Sequence, residues 1–248
     1  MTLKRRIADG ELVVGTWVKT PHPVIAEVLG LTALDCMVLD AEHAPFDRTT
    51  LDLCLAAARG TAKPALVRPA SGSPELILQA LDMGASGVIV PHVRSVSEAE
   101  AVVRATRYAP GGRGYAGTTR AAGFGTKGMS RTRADATDVV VIAQIEDIEG
   151  VEAVEAIARV EGLDALFIGR ADLTIAYEAE SPDDPRVVAA VERICAAGRA
   201  SGRAVGMFLP RPGDAALWRP KGASLFLLAS EHDFIVSGAN ALATALRG

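Results

Sequence analysis

The sequence predicts one (β/α)8 TIM barrel spanning residues 1–248, and three observations predict it. The chain is 248 residues long, close to the ~250 that a single barrel of this kind uses. Eight short β-rich runs alternate with longer alanine-rich stretches of helical spacing, which points to parallel strands joined by crossover helices. The β-rich runs are nearly continuous in apolar residues, the pattern of strands covered on both faces. An open doubly wound sheet is the alternative closure; unit count and length favour the barrel.

The strands are placed at 12–18, 34–39, 64–67, 87–90, 139–143, 165–168, 205–209 and 224–228. Helical stretches between them include 49–59, 74–82, 97–107, 150–159 and 185–200. Ser73 precedes Pro74 at one helix start, a capping hydroxyl before a residue suited to the first turn. Ser97 with Glu100 reads as a capping box, and Ser230 with Asp233 resembles one. No linker rich in proline, serine or charge divides the chain, so a single domain is expected. Residues 108–138 form an unusually long, Gly-rich and basic connection. Connections of this length serve function or are disordered; substrate access or subunit contact is expected here, ahead of a mobile surface loop.

Composition narrows the function classes. Apolar residues make up 49% of the chain, enough for a large core, while 4% aromatics do not suit a base-stacking surface. A net charge of −4 with both signs dispersed gives no nucleic-acid footprint. No apolar run reaches a membrane-spanning length, and the N-terminal segment lacks the apolar stretch of a signal peptide. Cys36, Cys54 and Cys195 are widely spaced and sit in apolar segments, so they read as reduced core thiols of a cytoplasmic protein.

The chemistry collects just after the strands. CMVLD ends in Asp40 and runs on through Glu42 to His43; PALVR ends in Arg68; VVVIAQIE delivers Gln144 and Glu146; ALFIGRAD delivers Asp172. In a parallel barrel all strand C-termini open on one face, the face where barrel enzymes keep their active sites. Glu146 and Asp172 bring two hard oxygen ligands to that mouth and suit Mg2+ or Mn2+ better than a structural zinc; singly, each reads as a helix cap or ion-pair partner. Asp40, three residues before His43, is positioned to fix the tautomer of that imidazole and raise its basicity. Arg68 ends a buried strand and needs an anion, either a protein carboxylate or the substrate. His22, His92 and His232 read as structural, with His92 at the rim. Lys19 and Lys63 lie beside strands without ending an apolar run, which leaves no lysine for a Schiff base. The segment GGRGYAG matches neither a P-loop nor a dinucleotide fingerprint.

Taken in order, GTWVK, LDAEHAPFD (39–47), LVRP, LDMGASGVIVPHV, RYAPGGRGYAG, AQIED and FIGRADLT resemble the HpcH/HpaI family of class II pyruvate aldolases over nearly the whole chain. The resemblance implies a barrel in a hexamer with Mg2+, Mn2+ or Co2+ at the site. It implies Glu146 and Asp172 as metal ligands, His43 as general base, Arg68 as stabiliser of the enolate, and Gln144, Ala171 and Trp17 as substrate contacts. Reversible addition of pyruvate or hydroxypyruvate to an aldehyde, with cleavage of 4-hydroxy-2-oxo acids, is the reaction implied. Asp82 matches an acid that acts on the histidine alongside Asp40. It ends a helix running antiparallel to the strands, at the opposite end of the barrel, so a neighbouring subunit is expected to supply it. The chain departs from the family pattern at Arg170, where proline is usual, and in the following IAYEAESPDD. Arg170 either adds positive charge for the substrate or pairs with a carboxylate. A CoA-ester lyase related to the citrate lyase β-subunit and a non-catalytic ligand-binding barrel are the alternatives.

Overall fold

In a computed structural model, which describes residues 1–248, eight parallel strands close on themselves in chain order. They are β1 (Val13–Val18), β2 (Cys36–Asp40), β3 (Ala65–Arg68), β4 (Gly87–Val90), β5 (Val140–Ile145), β6 (Ala165–Ile168), β7 (Ala204–Leu209) and β8 (Ala223–Ser230), with β8 pairing back to β1. The (β/α)8 expectation holds, with strand ends shifted by up to two residues. The shifts matter at three places, because Asp40, Arg68 and Gln144 belong to strands rather than to the loops after them.

Side chains alternate across a strand, and here the alternation builds two cores. One parity packs Val13, Cys36, Val38, Leu66, Ile89, Ile142, Phe167, Leu225 and Leu227 inside the barrel. The other parity packs 47 buried residues between strands and helices. The N-terminal helix Leu3–Ala8 places Leu3 and Ile7 in the interior cluster and closes the foot of the barrel. Lys4 fastens it there, donating to the Val139 carbonyl (3.1 Å) and to Asp164 (3.0 Å).

Capping follows the sequence with one correction. Ser73 accepts from the Leu76 N–H, and Ser230 with Asp233 forms the expected box. The cap of the fifth helix, Val96–Thr106, is Ser95 with Glu98, not Ser97 with Glu100. Both pairs have the S-x-x-E spacing, but the Ser95 hydroxyl accepts from Glu98 N–H (3.2 Å) while Ser97 only bonds to Ser95. The stretch read as one helix over 150–159 is two short ones, Ile148–Glu152 and Val154–Ile157, which meet at Ala153. Residues 108–138 are not structureless: they include the helix Met129–Asp135 and bury Arg113, Ala122, Thr132 and Ala136.

The last helix, Glu231–Arg247, leaves the barrel. Of its residues only Glu231 is buried, while Ile235, Val236, Leu242 and Leu246 are 59–91% exposed. Val24, Val28 and Leu31 are also exposed, on and just after the first crossover helix, Pro23–Gly30. No helix is long and apolar enough to cross a membrane. All three cysteines are free and buried, as expected.

Gly87 opens β4 where a Cβ would overlap the Val140 carbonyl in the neighbouring strand. Gly87→Ala is expected to destabilise the fold by about 1–3 kcal/mol, the usual cost of overpacking, read as a lower midpoint in denaturant titration. An unchanged midpoint would contradict this packing.

Candidate active site

The mouth of the barrel is the top layer of its interior. Continuing the inward parity by two residues carries Val38 to Asp40, Leu66 to Arg68 and Ile142 to Gln144, and two more residues reach Glu146. All four are buried polar groups. The β2–β3 register sets Asp40 directly beside Arg68.

Asp40 is fully buried and heavily engaged. It accepts from Arg68 Nε (3.0 Å) and Nη2 (2.8 Å), and from the backbone N–H groups of Glu42 (3.3 Å) and His43 (3.2 Å). The Lys19 ammonium lies 3.4 Å away. Burial alone would push this carboxyl up, but the Arg68 guanidinium, the His43 N–H and Lys19 together hold it below the usual carboxylate range. Arg68 rests over the Trp17 ring at 4.2 Å, and Trp17 in turn meets Phe167 edge-on at 5.9 Å.

Two expectations change here. Asp40 does not orient the His43 imidazole: the turn after β2 folds back over the strand end, so the backbone amides of 42 and 43 reach the carboxylate and the ring does not. The anion that Arg68 requires is this protein carboxylate, taken by Nε and Nη2. Nη1 makes no hydrogen bond within the chain, and Arg68 lines the cavity.

His43 stands at the rim with its side chain 55% exposed, its Nε2 3.6 Å from Glu42 Oε2. Glu42, not expected as a site residue, is almost buried beside the Arg68 guanidinium and two imidazoles: Oε2 lies 3.2 Å from Arg68 Nε and Oε1 lies 3.7 Å from His92 Nε2. His92 stands at the rim as expected, its side chain 45% exposed, and reaches the site through its backbone. Its backbone is held at φ +55°, which is uncommon outside glycine, and its N–H donates to Glu146 Oε1 at 2.9 Å. Its Nδ1 meets Asp147 at 3.0 Å.

The second cluster is acidic. Glu146 is buried, its Oε2 accepting from Gln144 Nε2 as the shared strand parity dictates. Burial pushes its carboxyl up; the Gln144 and His92 N–H groups oppose this and the negative charge of Asp172 adds to it. Asp172 sits in the first turn of the helix Arg170–Ala176, which Gly169 precedes. A Cβ at 169 would collide with the Glu146 side chain, so glycine there is a requirement of close approach. Gln144 Oε1 and Glu42 Oε2 are buried acceptors with no hydrogen-bond partner. Two neighbouring carboxylates beside the orphaned Gln144 oxygen suit a hard divalent cation, whereas Glu42 Oε2 is ion-paired with Arg68. No three His, Cys, Asp or Glu side chains gather closely enough to hold one unaided, so water or substrate oxygens must complete its shell.

A cavity of about 730 Å³ covers this layer, lined among others by Trp17, Lys19, His43, Arg68, Gln144 and Asp172. Ala171 lines it too. Glu146 does not; it is buried behind Gln144 and Gly169, which do. Lys19 was not expected to face these groups, yet it follows the apolar run of β1 as Asp40 closes that of β2. Arg170 donates to the Pro182 carbonyl (2.6 Å) and to Asp183 (2.8 Å), so it pairs within the chain. Asp82 lies far from His43 in the same chain, paired with Arg113 at 2.5 Å.

The sequence profile of the HpcH/HpaI aldolase/citrate lyase family matches residues 14–236. The 5-keto-4-deoxy-D-glucarate aldolase of Escherichia fergusonii is 34% identical over 246 residues, spanning 98% of this chain and 96% of that protein. An HpcH/HpaI aldolase/citrate lyase family protein from Burkholderia cenocepacia J2315 is 32% identical, with a TM-score of 0.93 and 99% of each chain covered. Citrate synthase SbnG is 31% identical with a TM-score of 0.87, covering 99% of this chain and 98% of that one.

Asp40 also sets an acid limit. A carboxyl held low in the fold contributes stability that is present above its unfolded pKa and lost as pH falls through the folded value. Asp40→Asn removes the bidentate counter-charge of a buried guanidinium, leaving only the contact with Glu42, and is expected to cost about 3 kcal/mol near neutrality. The loss should shrink in acid, where the wild type surrenders the same contribution. Urea midpoints measured from pH 7 to pH 3 check this; a loss that stays constant with pH would count against it.

Proposed function

We propose, from the premise that the chain belongs to the HpcH/HpaI aldolase/citrate lyase family and is a carbon–carbon lyase, that it is a divalent-metal-dependent aldolase. Its reaction is the reversible addition of pyruvate or hydroxypyruvate to an aldehyde, with cleavage of 4-hydroxy-2-oxo acids in reverse. The observation that carries the metal dependence is the buried Glu146 carboxylate, tied to Gln144 and repelled by Asp172. The name of the 34%-identical relative, 5-keto-4-deoxy-D-glucarate aldolase, supports an acidic, hydroxylated substrate.

Glu146 and Asp172 would hold Mg2+, Mn2+ or Co2+, which when bound supplies Lewis acidity toward a keto oxygen. The chain's own groups do the rest. Arg68, locked by Asp40, turns its free Nη1 to the oxygen on which negative charge develops, where a preorganised donor lowers the barrier. Trp17 backs the guanidinium and, with Phe167, excludes water from that side. Gln144 and Ala171 line the substrate's path beside Asp172. His43 at the rim moves the proton through a water: in cleavage it accepts the 4-hydroxyl proton as the C3–C4 bond breaks, releasing the aldehyde, and returns that proton through the water to C3 to give the 2-keto acid.

The active species is proposed to be a homo-oligomer, a hexamer by family resemblance, in which Asp82 of one subunit serves the His43 of the next. The apolar, exposed Glu231–Arg247 helix supports self-association, since so much uncovered leucine, isoleucine and valine calls for a partner surface. Reduced, buried thiols support a cytoplasmic location.

A chelator is expected to abolish retro-aldol cleavage, and added Mn2+ to restore it. Glu146→Gln should lower kcat/KM by at least about 100-fold, more than the usual loss on removing an outer-shell partner, with metal affinity falling in calorimetry. Full activity without metal would overturn the mechanism. Running the assay with and without CoA esters separates it from the CoA-ester lyase reading.

Mixing two impaired variants, Asp82→Asn and Glu146→Gln, tests the shared site. Activity should partly return on subunit exchange, because mixed neighbours rebuild some intact sites. A mixture no more active than its parts, or a fully active monomer, would show that Asp82 does not act across subunits.

A further inference from the structure

The interior parity of β1 runs through Val13 and Trp17, and the next residue on it is Lys19, which lines the catalytic cavity. The three arginines on the same lining are each tied to a carboxylate: Arg68 to Asp40, Arg170 to Asp183 and Arg211 to Asp214. Lys19 is not tied in this way. The carboxylate beside its ammonium is Asp40, with Oδ2 at 3.4 Å, beyond the roughly 2.7–2.9 Å of a charge-assisted hydrogen bond. Asp40 already accepts four hydrogen bonds, two from Arg68 and one each from the amides of 42 and 43, and a carboxylate offers about four acceptor positions. Asp40 therefore gives Lys19 counter-charge but no acceptor, and the N–H donors of the ammonium stay unspent.

The backbone beneath this head is fixed. The buried Glu231 carboxylate accepts from the N–H groups of Lys19 (2.9 Å) and Thr20, tying the end of β1 to the start of the last helix. The Lys19 side chain is 34% exposed, so a pinned base carries an accessible cation at the cavity wall.

Strand order decides which part of a ligand that cation meets. In a closed barrel of eight strands in chain order, β1 stands opposite β5. Glu146 follows β5, and Asp172 lies in the first turn of the helix after β6. Lys19 thus stands across the mouth from the metal-binding pair, with Arg68 on β3 between them. A 2-oxo acid held at that pair by its keto-acid end, with its keto oxygen at Arg68, extends its far end toward β1.

We infer that Lys19 binds a second carboxylate at the far end of the substrate, so that the enzyme prefers 2-oxo diacids to 2-oxo monoacids. The placement of the keto-acid end rests on the aldolase reading. A compact ammonium with rotatable donors on a flexible stem suits a terminal carboxylate, whereas the fork of Arg68 is already committed to Asp40.

Titration calorimetry in the presence of Mn2+, with 2-oxoadipate and with 2-oxohexanoate, tests the inference. The two acids have equal chain length, differ in the second carboxylate and lack the 4-hydroxyl that cleavage needs. The wild type is expected to bind the diacid about tenfold more tightly or better, the scale of one hydrogen bond to a charged group. Lys19→Met should erase most of that ratio, and Lys19→Arg, which keeps the charge, should retain most of it. No preference for the diacid in the wild type, or a ratio unchanged in Lys19→Met, overturns the inference. A lysine serving only as counter-charge to Asp40 would weaken both acids alike and leave the ratio where it was. Failure to cleave any 4-hydroxy-2-oxo acid, assayed separately, would remove the aldolase reading without altering the measured ratio.

Discussion

A fully buried carboxylate at the end of β2 governs the layout of the catalytic mouth. Asp40 cannot stay charged in the barrel interior without counter-charge and donors, and every group that supplies them becomes fixed in place. The β2–β3 register brings Arg68, whose planar fork then rests on Trp17. The backbone amides of 42 and 43 bend the following turn, which sets Glu42 inside and His43 at the rim. Lys19 reaches in from β1. Five residues on or just after three strands therefore take their positions from one ionised group.

The opposite wall answers a different constraint, close approach. Glu146 is pressed against Gly169 and Gln144, and receives the N–H of a residue held in the left-handed region, His92. Strained backbone of this kind persists where surrounding contacts over-determine it, and it concentrates at functional sites. The two walls carry opposite charge: a cationic side organised by Asp40 and an acidic side shared by Glu146 and Asp172. A 2-keto acid, anionic at one end and polarisable at the next carbon, suits a cleft divided in this way.

Much of this was legible in the sequence because a parallel barrel makes two periodicities visible. Eight apolar runs gave the fold, and the polar residue ending or following each run gave Asp40, Arg68, Gln144, Glu146 and Asp172. What the sequence concealed depends on how turns fold. Nothing local says that residues 41–43 curl back, so Asp40 looked like a partner of the His43 ring rather than of its amide. His92 and Glu42 were hidden for the same reason. Lys19 obeys the strand-end rule, but the glycine and threonine in the run before it obscure that strand end. The Ser97 cap was misplaced since two S-x-x-E pairs overlap there. The departure of the last helix from the barrel had only its apolar residues as a sign, and those look the same on a packed helix as on a protruding one.

The central claim is that the carboxylates of Glu146 and Asp172 share one divalent cation at the mouth. Crystals grown with Mn2+ and a 2-keto acid, measured at the manganese absorption edge, test it directly. The expected result is one strong anomalous peak per subunit, within coordination distance of both carboxylates. A peak elsewhere, or no peak at saturating Mn2+, would contradict it.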